Sequence, residues 1–250
     1  MKLVGLVAVS VTVLLGTASL AEARPDFRCN GVFKGKTYDE VVVPRGASCT
    51  LVDSTVTGDV RALRNAYFQT TNSVVRGDIE GEEVQTIFIE GGSRVYGSVE
   101  SVRAAQFFVF NSTVMEDIEP ERTTETVQIC GNTVRRGNIE VRRSGPDKGI
   151  APTERPGTDI LIGDPLAAGC RGNVVKRGDI KVFRNFTDIE FVIRGNTIKR
   201  GNLEVAGNTG PVTRFVERNV GGASLACRNN SLRLTAAGNT GWDRTQGQCA

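Results

Sequence analysis

Apolar positions recur along the chain in one fixed setting. An aliphatic residue is followed by one or two spacers, a glycine, then Asp, Asn or Ser, then Val, Ile or Leu. The pattern reads Val56-Thr57-Gly58-Asp59-Val60, Val75-Arg76-Gly77-Asp78-Ile79 and Val95-Tyr96-Gly97-Ser98-Val99, with a weaker copy from Val114 to Ile118. Three copies with an extra spacer span 134–139, 175–180 and 198–203, and a faded one spans 220–225. Measured at the glycine position, with Glu116 standing in it once, the first seven copies are 19, 20, 19, 21, 41 and 23 residues apart. A period near twenty residues marks a repeat architecture, in which each unit buries its apolar side against its neighbours.

Within a copy, Val56, Gly58, Val60 and Ala62 fall on one face and Thr57, Asp59 and Arg61 on the other, the alternation of a strand. A second apolar segment precedes each copy, at Tyr67-Phe68, Ile87 to Ile89, Phe107 to Phe110, Val127 to Ile129 and Phe191 to Ile193. Between the two segments stands Asn72, Asn111, Asn132, Asn173 or Asn196, replaced once by Gly92; these residues suit a tight corner because they tolerate left-handed backbone angles. Two strands and a corner per period predict an all-β, single-stranded parallel β-helix of about eight coils. Strict six-residue periodicity is absent, which favours the right-handed form. Phe68, Phe88, Phe107, Val127 and Phe191 form one column, expected to stack in the core. The extra spacer predicts a β-bulge or a wider corner.

The 41-residue interval holds Pro146, Pro152, Pro156 and Pro165. Proline fits poorly in a central ladder, so residues 143–168 read as a loop inserted into one coil; a degenerate coil at Gly157-Thr158-Asp159-Ile160 is the alternative. At the N-terminus, Lys2, an apolar run from Leu3 to Leu15 and Ala21-Glu22-Ala23 have the form of an export signal, cleaved after Ala23 or after Ala21. The β-helix domain then runs over 24–250. No later stretch is long and apolar enough for a helical membrane span. Six cysteines in an exported chain point to disulfides. Of fifteen connectivities, position on the coil and locality favour Cys29–Cys49, Cys130–Cys170 and Cys227–Cys249. The second bond requires adjacent coils, about 4.8 Å apart, and so the loop reading.

Outward residues around the copies fall in three columns. The first is Thr57, Arg76, Tyr96, Met115, Arg136, Arg177 and Arg200; the second is Asp59, Asp78, Ser98, Asp117, Asn138, Asp179 and Asn202. The third is Arg61, Glu80, Glu100, Glu119, Glu140, Lys181 and Glu204. Asp59, Asp78, Glu100, Asp117 and Glu140 make an acidic set whose one-coil spacing matches a retaining glycosidase, but every acid ladder on such a fold does the same. Histidine is absent, which excludes Ser-His and Cys-His nucleophiles. Calcium between Asp59 and Asp78 is conceivable on ligand chemistry, although no nonapeptide calcium repeat is present and no cofactor is expected. Arg135, Arg136, Lys176, Arg177, Lys199 and Arg200 form a basic ridge able to hold an anionic cell-surface polysaccharide; the competing expectation is that the neighbouring glutamates neutralise it. A net charge of +3 argues against a dedicated nucleic-acid binder.

The segment from Val41 to Leu51 (VVVPRGASCTL), the glycine-centred repeat and the ending Gly238-Asn239-Thr240-Gly241 to Cys249 resemble secreted bacterial β-helix proteins of the actinobacterial type. The resemblance spans nearly the whole chain beyond the signal and implies architecture without an activity. Similar coils occur in polymer-forming bactofilin-like proteins, which usually lack these cysteines and an export signal. The expected function is a secreted, non-enzymatic solenoid that is structural or surface-interacting. The alternative is a polysaccharide lyase or glycoside hydrolase using outer-face acids. End-to-end self-association is a third reading, opposed by the clipped ends.

Overall fold

The computed structural model describes residues 26–146, 157–163, 170–231 and 234–250. The expected signal over 1–23 lies outside them. The described chain forms strands in three parallel sheets of eleven, ten and nine members, here sheets A, B and C. One coil consists of Val60–Ala62 in sheet A, Tyr67–Thr71 in sheet B and Val74–Val75 in sheet C. The next coil lies directly on it, with Val60 beside Ile79 and Ile79 beside Val99. Ten strands in sheet B make about ten coils rather than eight. The uncounted ones lie at the ends, where strands such as Gly31–Lys34 and Leu234–Ala237 stand outside any glycine motif.

Each copy is not one strand but two, in different sheets. Thr55–Val56 belongs to sheet C and Val60–Ala62 to sheet A, with the corner at Thr57-Gly58-Asp59. Val56 and Val60 both point inward and are buried, so alternation continues through the corner and mimics one unbroken strand.

The core is a set of stacked columns. Phe68, Ile87, Phe107, Val127, Ile160 and Phe191 are successive partners in sheet B and are buried. Phe88 is not in that column. It is the partner of Gln69 and Phe108, on the outer face, where its ring meets Phe108 and Phe110 at 5.3 and 5.4 Å between centroids. In the run Ile87-Phe88-Ile89 either parity offers an apolar residue to the core, and the branched residues took it. Farther on, the inner column receives Arg214, fully buried with its guanidinium 5.7 Å from the centre of the Phe191 ring. Burial pushes its pKa down.

The corner asparagines belong to two adjacent columns, not one. Asn72 and Asn111 occupy left-handed backbone positions, φ 48° and 45°. Asn132, Asn173 and Asn196 point inward as a buried ladder, and Asn132 and Asn196 follow left-handed Gly131 and Gly195. Each backbone N–H donates to the side-chain oxygen of the next coil, Asn132 to Asn173 and Asn173 to Asn196, both at 3.1 Å. Their side-chain amides donate to main-chain carbonyls of sheet B, as Asn173 does to Ile129 at 2.7 Å. Ser54, Ser73, Ser93 and Ser112 hold this column in earlier coils. A similar ladder, Asn185, Asn208 and Asn230, lines the corner between sheets A and B.

The 41-residue interval is a single coil. Ile139–Arg142 pairs directly with Ile180–Phe183, and Thr133–Val134 with Val174–Val175. Its sheet B strand is Asp159–Gly163, between Thr126–Cys130 and Glu190–Arg194. The expected loop over 143–168 therefore contains a strand, with extra chain on both sides of it, and 147–156 and 164–169 lie outside the described residues. Cys130 and Cys170 are bonded with Cα atoms 5.7 Å apart, while Cys29–Cys49 and Cys227–Cys249 join coils near the two ends at 5.4 and 5.2 Å.

Candidate binding face

The glycine and the acid of each copy explain one another. The backbone N–H of Asp78 donates to Asp59 Oδ1 at 3.0 Å and that of Ser98 to Asp78 Oδ1 at 2.7 Å. The same bond joins Asn138 to Asp117, Asp179 to Asn138 and Asn202 to Asp179. The second outward column is thus a ladder that satisfies backbone donors at the corner where no sheet bond reaches them. At Gly77 and Gly97 the acceptor oxygen of the preceding coil reaches into the space that a side chain on the glycine would fill. A Cβ on Gly77 or Gly97 would overlap Asp59 or Asp78 Oδ1. Where Ser98 replaces the acid, the glycine of the next copy is replaced by Glu116.

Beside this ladder, Arg61, Glu80, Glu100, Glu119, Glu140, Lys181 and Glu204 run in register along the outer face of sheet A. Desolvation, followed by the like charges of Asp78 and Glu80, raises the Glu100 pKa; desolvation and then Glu140 raise that of Glu119. For Glu121, burial alone would raise the pKa, but hydrogen bonds from Arg143 and Arg142 and their charge outweigh it and the value falls. Arg142 bridges Glu121 and Glu140 at 3.0 and 2.7 Å. Among the described residues, no group of three or more His, Cys, Asp or Glu side chains is placed to hold a metal ion. The oxygens of Asp59 and Asp78 that face the next coil are already engaged by its backbone.

The basic ridge lies on the other side of the corner. Arg135, Lys176 and Lys199 stack there, with Lys176 N–H bonded to Val134 O and Lys199 N–H to Val175 O, both at 2.9 Å. They continue the column of Arg76, Tyr96 and Met115, a place the sequence reading gave to Arg136, Arg177 and Arg200. Those three arginines are the extra spacers, and they widen the corner just before Gly137, Gly178 and Gly201. Gly178 and Gly201 hold φ 143° and 156°, angles that other residues rarely adopt. Each of three consecutive coils therefore presents two cations instead of one outward residue.

All six bases are exposed except Lys176, which is half-buried. None of the six forms an ion pair among the described residues. Among the described residues, the direct pairing with the glutamate column that was the competing expectation is not found at these six. The glutamates that pair do so with Arg61, Arg142 and other bases on or beside their own sheet. The outward column of the face is thus shifted by one residue from its expected place. The register was not legible in one dimension, because counting back from the glycine gives the column to Arg136, Arg177 and Arg200, whereas counting on from the buried Val134, Val175 and Ile198 gives it to Arg135, Lys176 and Lys199.

Among the described residues no helix is long and apolar enough to cross a membrane. Compared with protein-family models, curated proteins and solved structures, the chain matches none. Of the resemblance drawn from the sequence, the parallel β-solenoid itself is what the structure shows.

Proposed function

We propose that the protein is a secreted, non-enzymatic solenoid that holds an anionic glycan along the ridge formed by Arg135, Arg136, Lys176, Arg177, Lys199 and Arg200. The observation that carries this reading is that six cations on three stacked coils have no anionic partner within the described chain. Adjacent rungs are about 4.8 Å apart, so the charges form a line along the solenoid axis, suited to an extended polymer. Repulsion among unpaired cations opposes folding, and a bound polyanion relieves it. Three disulfides fit an oxidising compartment, which agrees with the export signal. The aspartates beside the ridge act as backbone acceptors, a structural duty that supports a non-catalytic face.

The test is retention of the full chain on immobilised polygalacturonate across a salt gradient. Binding through exposed cations weakens as salt screens it. The variant Arg136→Ala/Arg177→Ala is expected to elute earlier. Retention independent of salt, or identical retention of the variant, contradicts the reading. Release of reducing or unsaturated sugars that disappears in Glu100→Gln would place an enzyme on the acidic face instead.

A further inference from the structure

The ridge column does not stop at Arg135. Toward the N-terminus it continues through Met115, Tyr96 and Arg76, one residue per coil, with Met115 N–H on Val95 O and Tyr96 N–H on Val75 O, both at 2.9 Å. Tyr96 is 48% exposed and stands between two shallow surface clefts. One is lined by Thr55, Val74, Arg76 and Tyr96, the other by Arg94, Tyr96, Thr113, Met115 and Arg135. Arg76, Arg94 and Arg135 form no ion pair among the described residues. An exposed tyrosine shared by both clefts, which also hold three guanidinium groups without ion pairs among the described residues, thus sits in line with the ridge.

We infer that Tyr96 is a stacking subsite for a sugar ring of an acidic glycan, with Arg76, Arg94 and Arg135 engaging the carboxylates of that unit and its neighbours along the chain. This deepens, and rests on, the reading of the ridge as a polyanion site. A hexuronate unit offers an apolar C–H face with a polar rim, and a tyrosine offers a ring with a polar tip. Met115 adds a polarisable, adaptable surface beside it. The planar fork of arginine matches a carboxylate, whereas lysine meets it as a point charge. Arginines stand both at the subsite and along the ridge, so what distinguishes the subsite is the exposed Tyr96 ring beside them, and the ridge beyond adds charge. Polyphosphate has no face to stack. Single-stranded nucleic acid does, but its binding grooves set successive aromatic rings along the strand, and this column carries one ring followed by Met115 and then bases only.

The experiment measures equilibrium binding of polygalacturonate, polyphosphate and oligo(dT) to the full chain at several salt concentrations. Wild type is compared with Tyr96→Ala, Tyr96→Phe and Arg136→Ala/Arg177→Ala, after matched thermal unfolding curves establish that all four are folded. Loss of one stacked ring is expected to lower polygalacturonate affinity about tenfold in Tyr96→Ala. Its salt dependence and its polyphosphate binding should stay as in wild type, and Tyr96→Phe should retain most of the affinity. The arginine pair variant should lose affinity for both polymers and show a shallower salt slope. Polygalacturonate binding unchanged in Tyr96→Ala, or an equal loss toward polyphosphate, overturns the subsite while leaving the ridge intact. Tighter binding of oligo(dT) than of polygalacturonate also overturns it. Wild-type salt dependence in the arginine pair variant overturns the ridge reading itself, and absence of binding to all three polymers overturns both.

Discussion

Gly97 has no room for a side chain because Asp78 of the preceding coil already fills the place with the oxygen that accepts the Ser98 N–H. Glycine and aspartate therefore form one device spread over two coils, and the recurring pair Gly-Asp or Gly-Asn is its trace in the sequence. The chain itself supplies a natural variant: Ser98, whose hydroxyl is a weaker acceptor at 3.4 Å from Asp117 N, is followed one coil later by Glu116 instead of glycine. Gly97→Ala is expected to destabilise by about 2 kcal/mol through overpacking. Asp78→Ser should cost less alone, and the double variant should recover part of the loss, because the Gly77 carbonyl carbon also lies 2.9 Å from the added Cβ. Urea unfolding of the four proteins measures the coupling; strictly additive losses would contradict the shared-space explanation.

At the scale of the elements, the period was legible because every coil repeats the same inward residues, and period alone settles a stacked parallel fold. What one dimension concealed was where a coil turns. Val56 and Val60 look like one strand because the corner between them preserves inward alternation. Asn72 and Asn132 look like one column because their two jobs, left-handed corner and inward ladder, fall on neighbouring positions. Phe88 looks like core because both its neighbours are apolar as well. The Cys130–Cys170 bond was readable because the two residues stand at nearly the same place on adjacent coils, whereas the end pairs rested on locality and are out of register, Cys49 facing Gly31 and Cys227 facing Gly247. Electrostatics also acts at this scale, through the outer glutamates of sheet A. Glu100 and Glu119 hold protons more tightly in the folded chain than in the unfolded one. Between the ordinary glutamate pKa and their raised values the folded state binds more protons, so stability falls as pH rises through that window. Glu121 has the opposite sign: its contribution is present above the ordinary value and is lost as pH falls through its lowered one. Glu100→Gln/Glu119→Gln should melt about 2 °C above wild type at neutral pH, with the gap closing below about pH 4 where both carboxyls are protonated anyway. Thermal melts over pH 3–8 check this; a gap independent of pH would contradict the assignment.

For the molecule as a whole, a net charge of +3 conceals a strong division of labour. Acids cluster on sheet A, where arginines pair with some of them, and the corner aspartates are tied to the backbone. Unpaired cations are left in line on the opposite side of that corner. Stacking makes the division possible, because one extra residue in three consecutive copies becomes three extra charges on one ridge. The fold contributes rigidity and repetition, and the ligand is chosen by which residues the corners display. The most direct measurement is lysine acylation footprinting by mass spectrometry, with and without polygalacturonate. The account predicts that Lys176 and Lys199 lose reactivity while Lys34 and Lys36, near the other end of the solenoid, keep theirs. Unchanged reactivity at Lys176 and Lys199, or equal protection of all four, would contradict it.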